Sequence, residues 1–446
     1  MTKLRAIPKM DKLLSCEELK KFNTAALKPL ITHFLEKYRH NLLDGGKVLE
    51  FQDCVEEIKN LYLQQSQKSL TPVINATGIV VHTNLGRSVF SHEILEEIMP
   101  LLSSYNNLEY DLKEGNRTER YYHLRNLFRL LVPCEDILIV NNNAAAVFLI
   151  LNTFAKGKEV IVSRGELIEI GGSFRIPRVM EDSGAILREI GTTNKTYLQD
   201  YKEALNENTA MIFKAHKSNY EIKGFSYEVD YKELIDFAKE KEILDYYDLG
   251  SGYLGFKKEN LDKTEISLEE IAALNPSLVS FSGDKLLGST QAGIIFGKKK
   301  YINALKKNQL LRMLRVDKFT LSCLEATLKA YLDKAYYKIP TFAFIAQTKE
   351  ELYQKAQELL TLIPTCFAPQ ILPSQSYSGG GAMPNKALPS YAIALNSPKA
   401  QKLENALREH KIIARIEQEK VLLDVRTLYK QDFAKIQTAL LAIAKE

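Results

Sequence analysis

Cysteine is scarce and scattered in this chain. Five occur in 446 residues (Cys16, Cys54, Cys134, Cys323 and Cys366), odd in number and far apart. There is no Cys-x-x-Cys pair and no Cys/His cluster, which excludes a metal site of ordinary spacing and a disulfide framework; these are reduced packing residues. Long apolar runs are missing as well. None reaches the length of a membrane-crossing helix, and Met1-Thr-Lys-Leu-Arg-Ala6 has no signal-peptide core, so a cytoplasmic protein without a membrane partner is the expectation. An excess of one charge is also lacking. Sixty basic against 55 acidic residues leave +5, which permits RNA binding through local patches without demanding it, and nothing calls for DNA. No internal repeat or low-complexity linker interrupts the sequence.

What is present is the composition of a globular protein, 45% hydrophobic and 26% charged, in a chain too long for one core. Residues 1–65 read as a helical domain. Leu27, Leu30, Ile31, Phe34, Leu35 and Tyr38 follow helical spacing, with Pro29 expected in the first turn. A second stripe, Phe51, Val55, Ile58 and Tyr62, follows the Asp44-Gly-Gly46 break. Lys20, Lys21, Lys28, Lys37, Arg39 and Lys59 fall on the opposite faces, as a solvated surface or an RNA contact. Over 66–330, β-rich runs at 137–140, 159–162, 211–214, 243–247, 278–281 and 293–296 alternate with helical stretches. That alternation predicts an α/β domain with a mostly parallel sheet covered on both faces. Residues 331–446 read as a smaller α+β domain, with strands at 391–395 and 420–424 and helices at 350–360 and 400–410.

Three segments carry chemistry. In Ser280-Phe-Ser-Gly-Asp-Lys-Leu-Leu-Gly-Ser289 a buried strand ends in a polar turn presenting Lys285. A lysine so placed forms an imine with an aldehyde, the first requirement of pyridoxal-phosphate chemistry, and Ser282 is a candidate ligand for the cofactor phosphate. In Asp245-Tyr-Tyr-Asp-Leu-Gly-Ser-Gly252 the apolar run ends at Asp248, a carboxylate suited to keeping a pyridine nitrogen protonated or to capping the next helix. It precedes Lys285 by 37 residues, one strand-helix-strand excursion in a parallel sheet. In Ile137-Leu-Ile-Val-Asn-Asn-Asn-Ala-Ala-Ala-Val147 a strand meets a helix start. There Asn143 is the expected N-cap, and the amides of Asn143 and Ala144 make an anion site without a glycine-rich loop. Phosphate site, aspartate and lysine occur in the order that fold-type I pyridoxal-phosphate enzymes use.

The chain resembles the bacterial selenocysteine synthases, the L-seryl-tRNA(Sec) selenium transferases. The likeness rests on Ile74-Asn-Ala-Thr-Gly-Ile-Val-Val-His-Thr-Asn-Leu-Gly-Arg87, Asn107-Leu-Glu-Tyr-Asp-Leu112, the asparagine-alanine loop, Ser163-Arg-Gly-Glu-Leu-Ile-Glu-Ile-Gly-Gly172 and Gly191-Thr-Thr-Asn194. It extends to Asp248-Leu-Gly-Ser-Gly252, the Lys285 turn, Leu314-Arg-Val-Asp-Lys318, Gly379-Gly-Gly381, Leu388-Pro-Ser390, Leu422-Leu-Asp-Val-Arg-Thr427 and, at the other end, Ile7-Pro-Lys-Met-Asp-Lys-Leu-Leu14.

The resemblance implies a fold-type I enzyme with pyridoxal phosphate on Lys285, acting on seryl-tRNA(Sec). Elimination of hydroxide, with Lys285 taking the Cα proton, would precede addition of selenium from selenophosphate. It implies tRNA recognition by the N-terminal domain, and a homodimer or a decameric ring of dimers. Arg87, Arg312 and Arg315 lie in matching motifs and are the candidate selenophosphate ligands, since arginine grips phosphate bidentately. Arg312 and Arg315, three apart, would share a pocket if both lay on one helix; salt bridges to Asp317 or Glu325 are their structural alternative. His82 and His216 are each open to stacking on the cofactor ring, passing protons, or a satisfied core position. Two stretches depart from the family pattern: Gly288-Ser-Thr-Gln-Ala-Gly293, where Gly-Gly-Pro-Gln-Ala-Gly is usual, and the loop at 113–120. The rival readings are a pyridoxal-phosphate lyase removing ammonia or water from a phosphorylated amino-sugar acid, and a catalytically silent RNA-binding relative.

Overall fold

The computed structural model describes residues 3–167, 169–170, 174–217, 222, 224–255, 266–379 and 387–445. Ile168, Gly171, Gly172, Gly380 and Gly381 of the motifs above lie outside them. The chain divides into two compact units, residues 1–72 and 73–446.

In the first unit, helices Met10–Leu14, Glu17–Lys20, Thr24–Leu43 and Phe51–Ser66 enclose a core of their own. Leu27, Ile31, Phe34 and Tyr38 meet Val55 and Ile58 there, as the helical spacing predicts. Asn23 begins the long helix earlier than expected, its side chain accepting from the Ala25 and Ala26 amides at 2.9 and 3.3 Å. Pro29 therefore falls in the second turn rather than the first, and the helix runs through it. Lys20, Lys21, Lys28, Lys37 and Arg39 are exposed, whereas Lys59 is half-buried and pairs with Glu56 at 2.9 Å.

The second unit is built on a seven-stranded sheet. Its strands are β1 (Asp136–Val140), β2 (Glu159–Ser163), β3 (Ile186–Ile190), β4 (Thr209–Ala215), β5 (Leu244–Gly250), β6 (Leu278–Ser282) and β7 (Gly293–Gly297), in the spatial order β1-β7-β6-β5-β4-β2-β3. All neighbours are parallel except β7, which runs antiparallel to both β6 and β1. Strand alternation sends Val160, Val162, Met211 and Phe213 into one hydrophobic core and Ile161 and Ile212 into another on the opposite face. Burial on both faces explains why these strands read as continuous apolar runs. β3 escaped the sequence reading because it is an edge strand: four of its five residues are not buried, so Ile-Leu-Arg-Glu-Ile has no such run.

A second sheet of five strands contains Arg415–Glu417, Lys420–Asp424, Ala387–Leu395, Gln370–Gly379 and, at its edge, Ile79–Val81. Ile74–Asn75 pairs with Ile412–Ile413. Residues 74–81, grouped by sequence with 66–330, thus pair with the C-terminal strands. Asp424 explains the attachment. Fully buried, it accepts from the Ser374, Ser376 and Ser390 hydroxyls at 2.8–2.9 Å and from the Arg426 amide at 3.1 Å. A Cβ on Gly78 would lie 2.6 Å from its carboxylate, so the Asn-Ala-Thr-Gly78 turn needs its glycine for close approach as well as for its φ of +78°. Thr427 closes the joint, donating to the Asn75 carbonyl at 2.7 Å.

Candidate active site

Asp248 and Lys285 come from adjacent parallel strands. Asp248 lies opposite Ser280 in the β5–β6 register, and Lys285 sits in the turn that leaves β6. The 37-residue spacing therefore brings both groups to the same edge of the sheet, at the carboxyl ends of the strands where open α/β folds bind ligands.

The third part is the start of helix Asn143–Phe154 after β1. Asn142, not Asn143, is the N-cap: its backbone is extended and its side chain accepts from the Ala145 amide at 2.9 Å. Its carbonyl takes the Ala146 amide, so the amides of Asn143 and Ala144 are the ones this helix end presents. The shift of one residue releases the Asn143 side chain, whose Nδ2 donates to Asp248 Oδ1 at 2.7 Å. The Gly250 amide reaches the same oxygen at 3.0 Å. Burial pushes the Asp248 carboxyl above its ordinary pKa, while these two bonds and the charge of Lys285 pull it back. β7 also shapes this corner: a Cβ on Gly293 would lie 2.2 Å from the Asn142 carbonyl oxygen, so only glycine lets the strand pass so close.

The lysine turn is firmly held. Gly283 donates to the Ala292 carbonyl at 2.9 Å, and Gly288, at φ +73°, closes onto the Lys285 carbonyl at 3.0 Å. The Ser88 hydroxyl donates to the carbonyls of both Asp284 and Lys285, at 2.8 and 2.7 Å. Asp284, which the sequence reading passed over, organises this turn: it accepts from Ser282 Oγ at 2.7 Å and from Arg87 at 2.8 Å. Ser282 is thus committed to Asp284, and Arg87 to the residue beside the lysine. Its place next to Lys285 was the available signal.

His216 follows β4, and its amide donates to the Asp248 carbonyl at 2.8 Å, which joins it to the group. Burial, with help from Lys214, Lys217 and Lys285 against Glu228, lowers its imidazole to about 4, so it is neutral near pH 7. Beneath it is an ion pair that sequence alone did not reveal. Lys214 Nζ lies 3.1 Å from Glu166 Oε1, both side chains at most 4% exposed, and Glu166 also accepts from the Ala215 amide at 3.1 Å. Glu166 stood in a recognised motif, but nothing in sequence joins it to a lysine 48 residues away. His82 caps a 3-10 turn through Nδ1, which accepts from the Asn84 amide at 3.2 Å.

Arg312 and Arg315 do not share a helix. Arg312 ends the 3-10 turn Gln309–Arg312 and is exposed, while Arg315 follows in the loop before helix Lys318–Leu332. The same loop reaches the asparagine run that leads into helix Asn143–Phe154, because the Leu314 carbonyl accepts from the Asn141 amide at 3.1 Å. Arg315 pairs with Glu109 at 3.4 Å rather than with Asp317 or Glu325. Glu109 also holds Arg117 at 2.9 Å and Arg120, the latter keeping its carboxyl below the ordinary range.

The donor set fits pyridoxal phosphate. Lys285 offers the amine, Asp248 a buried carboxylate for a ring nitrogen, and Asn143 with Ala144 the amides for a phosphate. Asn141 Oδ1 and Asn143 Oδ1 are buried without a hydrogen-bond donor among the described residues, which leaves polar capacity at this end of the sheet for a bound group.

Comparison with known proteins agrees with this arrangement. The family model for L-seryl-tRNA selenium transferase matches residues 73–429. The L-seryl-tRNA(Sec) selenium transferase of Wolinella succinogenes is 54% identical over 430 residues, 96% of each chain. That of Nautilia profundicola is 50% identical, covering 98% of this chain and 97% of its own. Among solved structures, D-glucosaminate-6-phosphate ammonia-lyase superposes with a TM-score of 0.60 at 20% identity, covering 86% of this chain and 98% of its own, a likeness of fold alone. With the family match and these two relatives spanning nearly the whole chain, the protein belongs to the L-seryl-tRNA selenium transferase family.

Proposed function

We propose that this chain converts seryl-tRNA(Sec) to selenocysteinyl-tRNA(Sec), with pyridoxal phosphate on Lys285 and selenophosphate as selenium donor. The observation carrying this reading is the convergence of Lys285, Asp248 and the Asn143–Ala144 amides at one sheet edge, in a chain whose relatives bear that transferase name. When bound, pyridoxal phosphate supplies an electron sink that makes the Cα–H of an attached amino acid acidic and its β-substituent labile. The residues divide the remaining work. Asp248 would hold a proton at the ring nitrogen, and its bonds to Asn143 and Gly250 offset part of what burial costs the carboxylate. The Asn143 and Ala144 amides bind the phosphate, while Ser282, whose hydroxyl donates to Asp284, orders the turn that presents Lys285. Lys285 Nζ is the base for the Cα proton, half-buried in a turn that Ser88 fixes from outside. Neutral His216, joined to Asp248 through its amide, would add no charge to the bound group.

Arg87, Arg312 and Arg315 are the selenophosphate ligands in this reading. Arg87 stands beside the lysine turn, and the loop bearing the other two is bonded to Asn141. The exposed lysines of residues 1–65 face the tRNA, and the larger α/β and smaller α+β domains divide at about residue 330. The enzyme works as a homodimer or a ring of dimers, in the cytoplasm; among the described residues no helix is long and apolar enough to cross a membrane.

The test is the visible absorbance spectrum of the purified protein, before and after adding seryl-tRNA(Sec), with an ordinary seryl-tRNA as control. A yellow protein whose band changes only with the selenocysteine tRNA supports the proposal. A yellow protein indifferent to both overturns the substrate and leaves the cofactor; a colourless protein that does not take up pyridoxal phosphate overturns both.

A further inference from the structure

The second unit contains a cavity of about 810 Å³ whose lining does not include Lys285. Its walls include Val89–Glu93, Phe344, Gln347, Lys355 and Tyr429–Gln431. Lys355, on helix Lys349–Leu360, is half-buried there with its Nζ 5.9 Å from the centre of the Phe344 ring. No carboxylate among the described residues lies within ion-pair distance of it, because each nearby acid is already engaged. Glu351 accepts from the Thr348 amide at 2.8 Å in a capping box, and Glu358 pairs with Lys430 at 2.8 Å. Asp424 is taken by serines and Arg415, and Asp432 by the Tyr429 amide at 2.9 Å. Glu93, at the cavity mouth with His92, is held by its own backbone amide and Ser91. The cationic neighbours are Lys430 and the buried Arg426, whose guanidinium donates to the Phe344 and Pro389 carbonyls at 2.6 and 2.7 Å.

We propose that Lys355 is a site of Nζ-acylation by small acyl phosphates that enter this cavity. A half-buried ammonium with no carboxylate at ion-pair distance and a guanidinium nearby gives up its proton readily. Burial, then Arg426 and Lys430 against Asp432 and Asp424, lowers this amine to about 8. An acyl phosphate carries its own leaving group and needs only a free amine and room. The amine lone pair attacks the acyl carbon and a C–N bond forms. The C–O bond to phosphate breaks, phosphate departs with that electron pair, and the nitrogen proton passes to water. Gln347 Oε1, buried in the wall without a donor among the described residues, is an acceptor available to an amide N–H.

The experiment treats the full-length protein with acetyl phosphate from pH 7 to 10 and follows each lysine by peptide mass spectrometry. Exposed Lys349 and Lys402 serve as internal references. At pH 7.5 the larger free-base fraction at Lys355, offset in part by its lower basicity and its burial, gives an expected initial rate about tenfold above the references. That rate is half-maximal near pH 8 and flat above about pH 9, while the references keep rising. A rate at Lys355 less than about threefold above theirs, or one that follows their pH profile, overturns the proposal.

Discussion

Replacing Glu166 by glutamine tests how the floor of the site is held. The substitution keeps an oxygen to accept from the Ala215 amide, now at 3.1 Å, but removes the negative charge beside Lys214. Burial alone pulls the Lys214 amine down, and Glu166 and Glu228 outweigh it, so its pKa ends above the ordinary value. In E166Q the lysine is left at 4% exposure with Glu228, 3.7 Å away and 55% exposed, as its ion-pair partner among the described residues. Stranding a charge in a buried pair costs about 3–5 kcal/mol, and the remaining glutamate puts this case near 3 kcal/mol. The sign with pH is distinctive. With Glu166 gone the folded-state pKa of Lys214 drops below its unfolded value, so between the two the unfolded chain binds more protons and stability rises with pH. Urea unfolding followed by circular dichroism from pH 7 to 10 measures both effects. A loss below about 1 kcal/mol at pH 7, or a loss unchanged up to pH 10, would refute the buried ion pair.

Three further outcomes follow from the same geometry. Asp248→Asn removes the carboxylate we assign to the ring nitrogen, and single-turnover assays should show a loss on the order of a hundredfold or more with little change in tRNA affinity. His216, lowered to about 4 when folded, is proton-poor relative to the unfolded chain, so stability should fall as pH drops from about 6.5 towards 4. His216→Gln should flatten that part of a thermal-unfolding pH series. Gly293→Ala sets a Cβ against the Asn142 carbonyl and should lower pyridoxal-phosphate affinity by about tenfold or more, read by equilibrium titration of the cofactor.

The apolar strands and the residues at their ends were legible because both follow from one constraint. A strand buried on two faces must be apolar along its length, and the first polar residue after it emerges at the sheet edge. That constraint sets Asp248 and the turn bearing Lys285 at the ends of largely apolar strands. It misjudged the Asn141–Asn143 run by one residue, because all three asparagines are able to cap a helix. Backbone conformation chose Asn142 and freed Asn143 for Asp248. The partners of charged side chains were not legible. Glu109 gathers Arg117 and Arg120 from the following loop and Arg315 from a distant segment, and Glu166 meets Lys214 only after the sheet has formed.

The motifs far from the chemistry have a physical purpose in the same picture. Ile79–Val81 is bound into the C-terminal sheet, and within a few residues the chain arrives at Arg87 and Ser88 on the lysine turn. Arg87 reaches it from a left-handed backbone at φ +63°, directly after Gly86 at +91°. A non-glycine residue in that region costs on the order of 1 kcal/mol. The His82 carbonyl accepting the Arg87 amide at 3.0 Å and the Asp284 ion pair offset that cost. The Asp424 joint thus does more than fasten an edge strand, because it fixes where Arg87 and Ser88 stand relative to Lys285. A defect at Gly78 or Asp424, remote from the sheet edge in sequence, should therefore reach Lys285 through this one short segment.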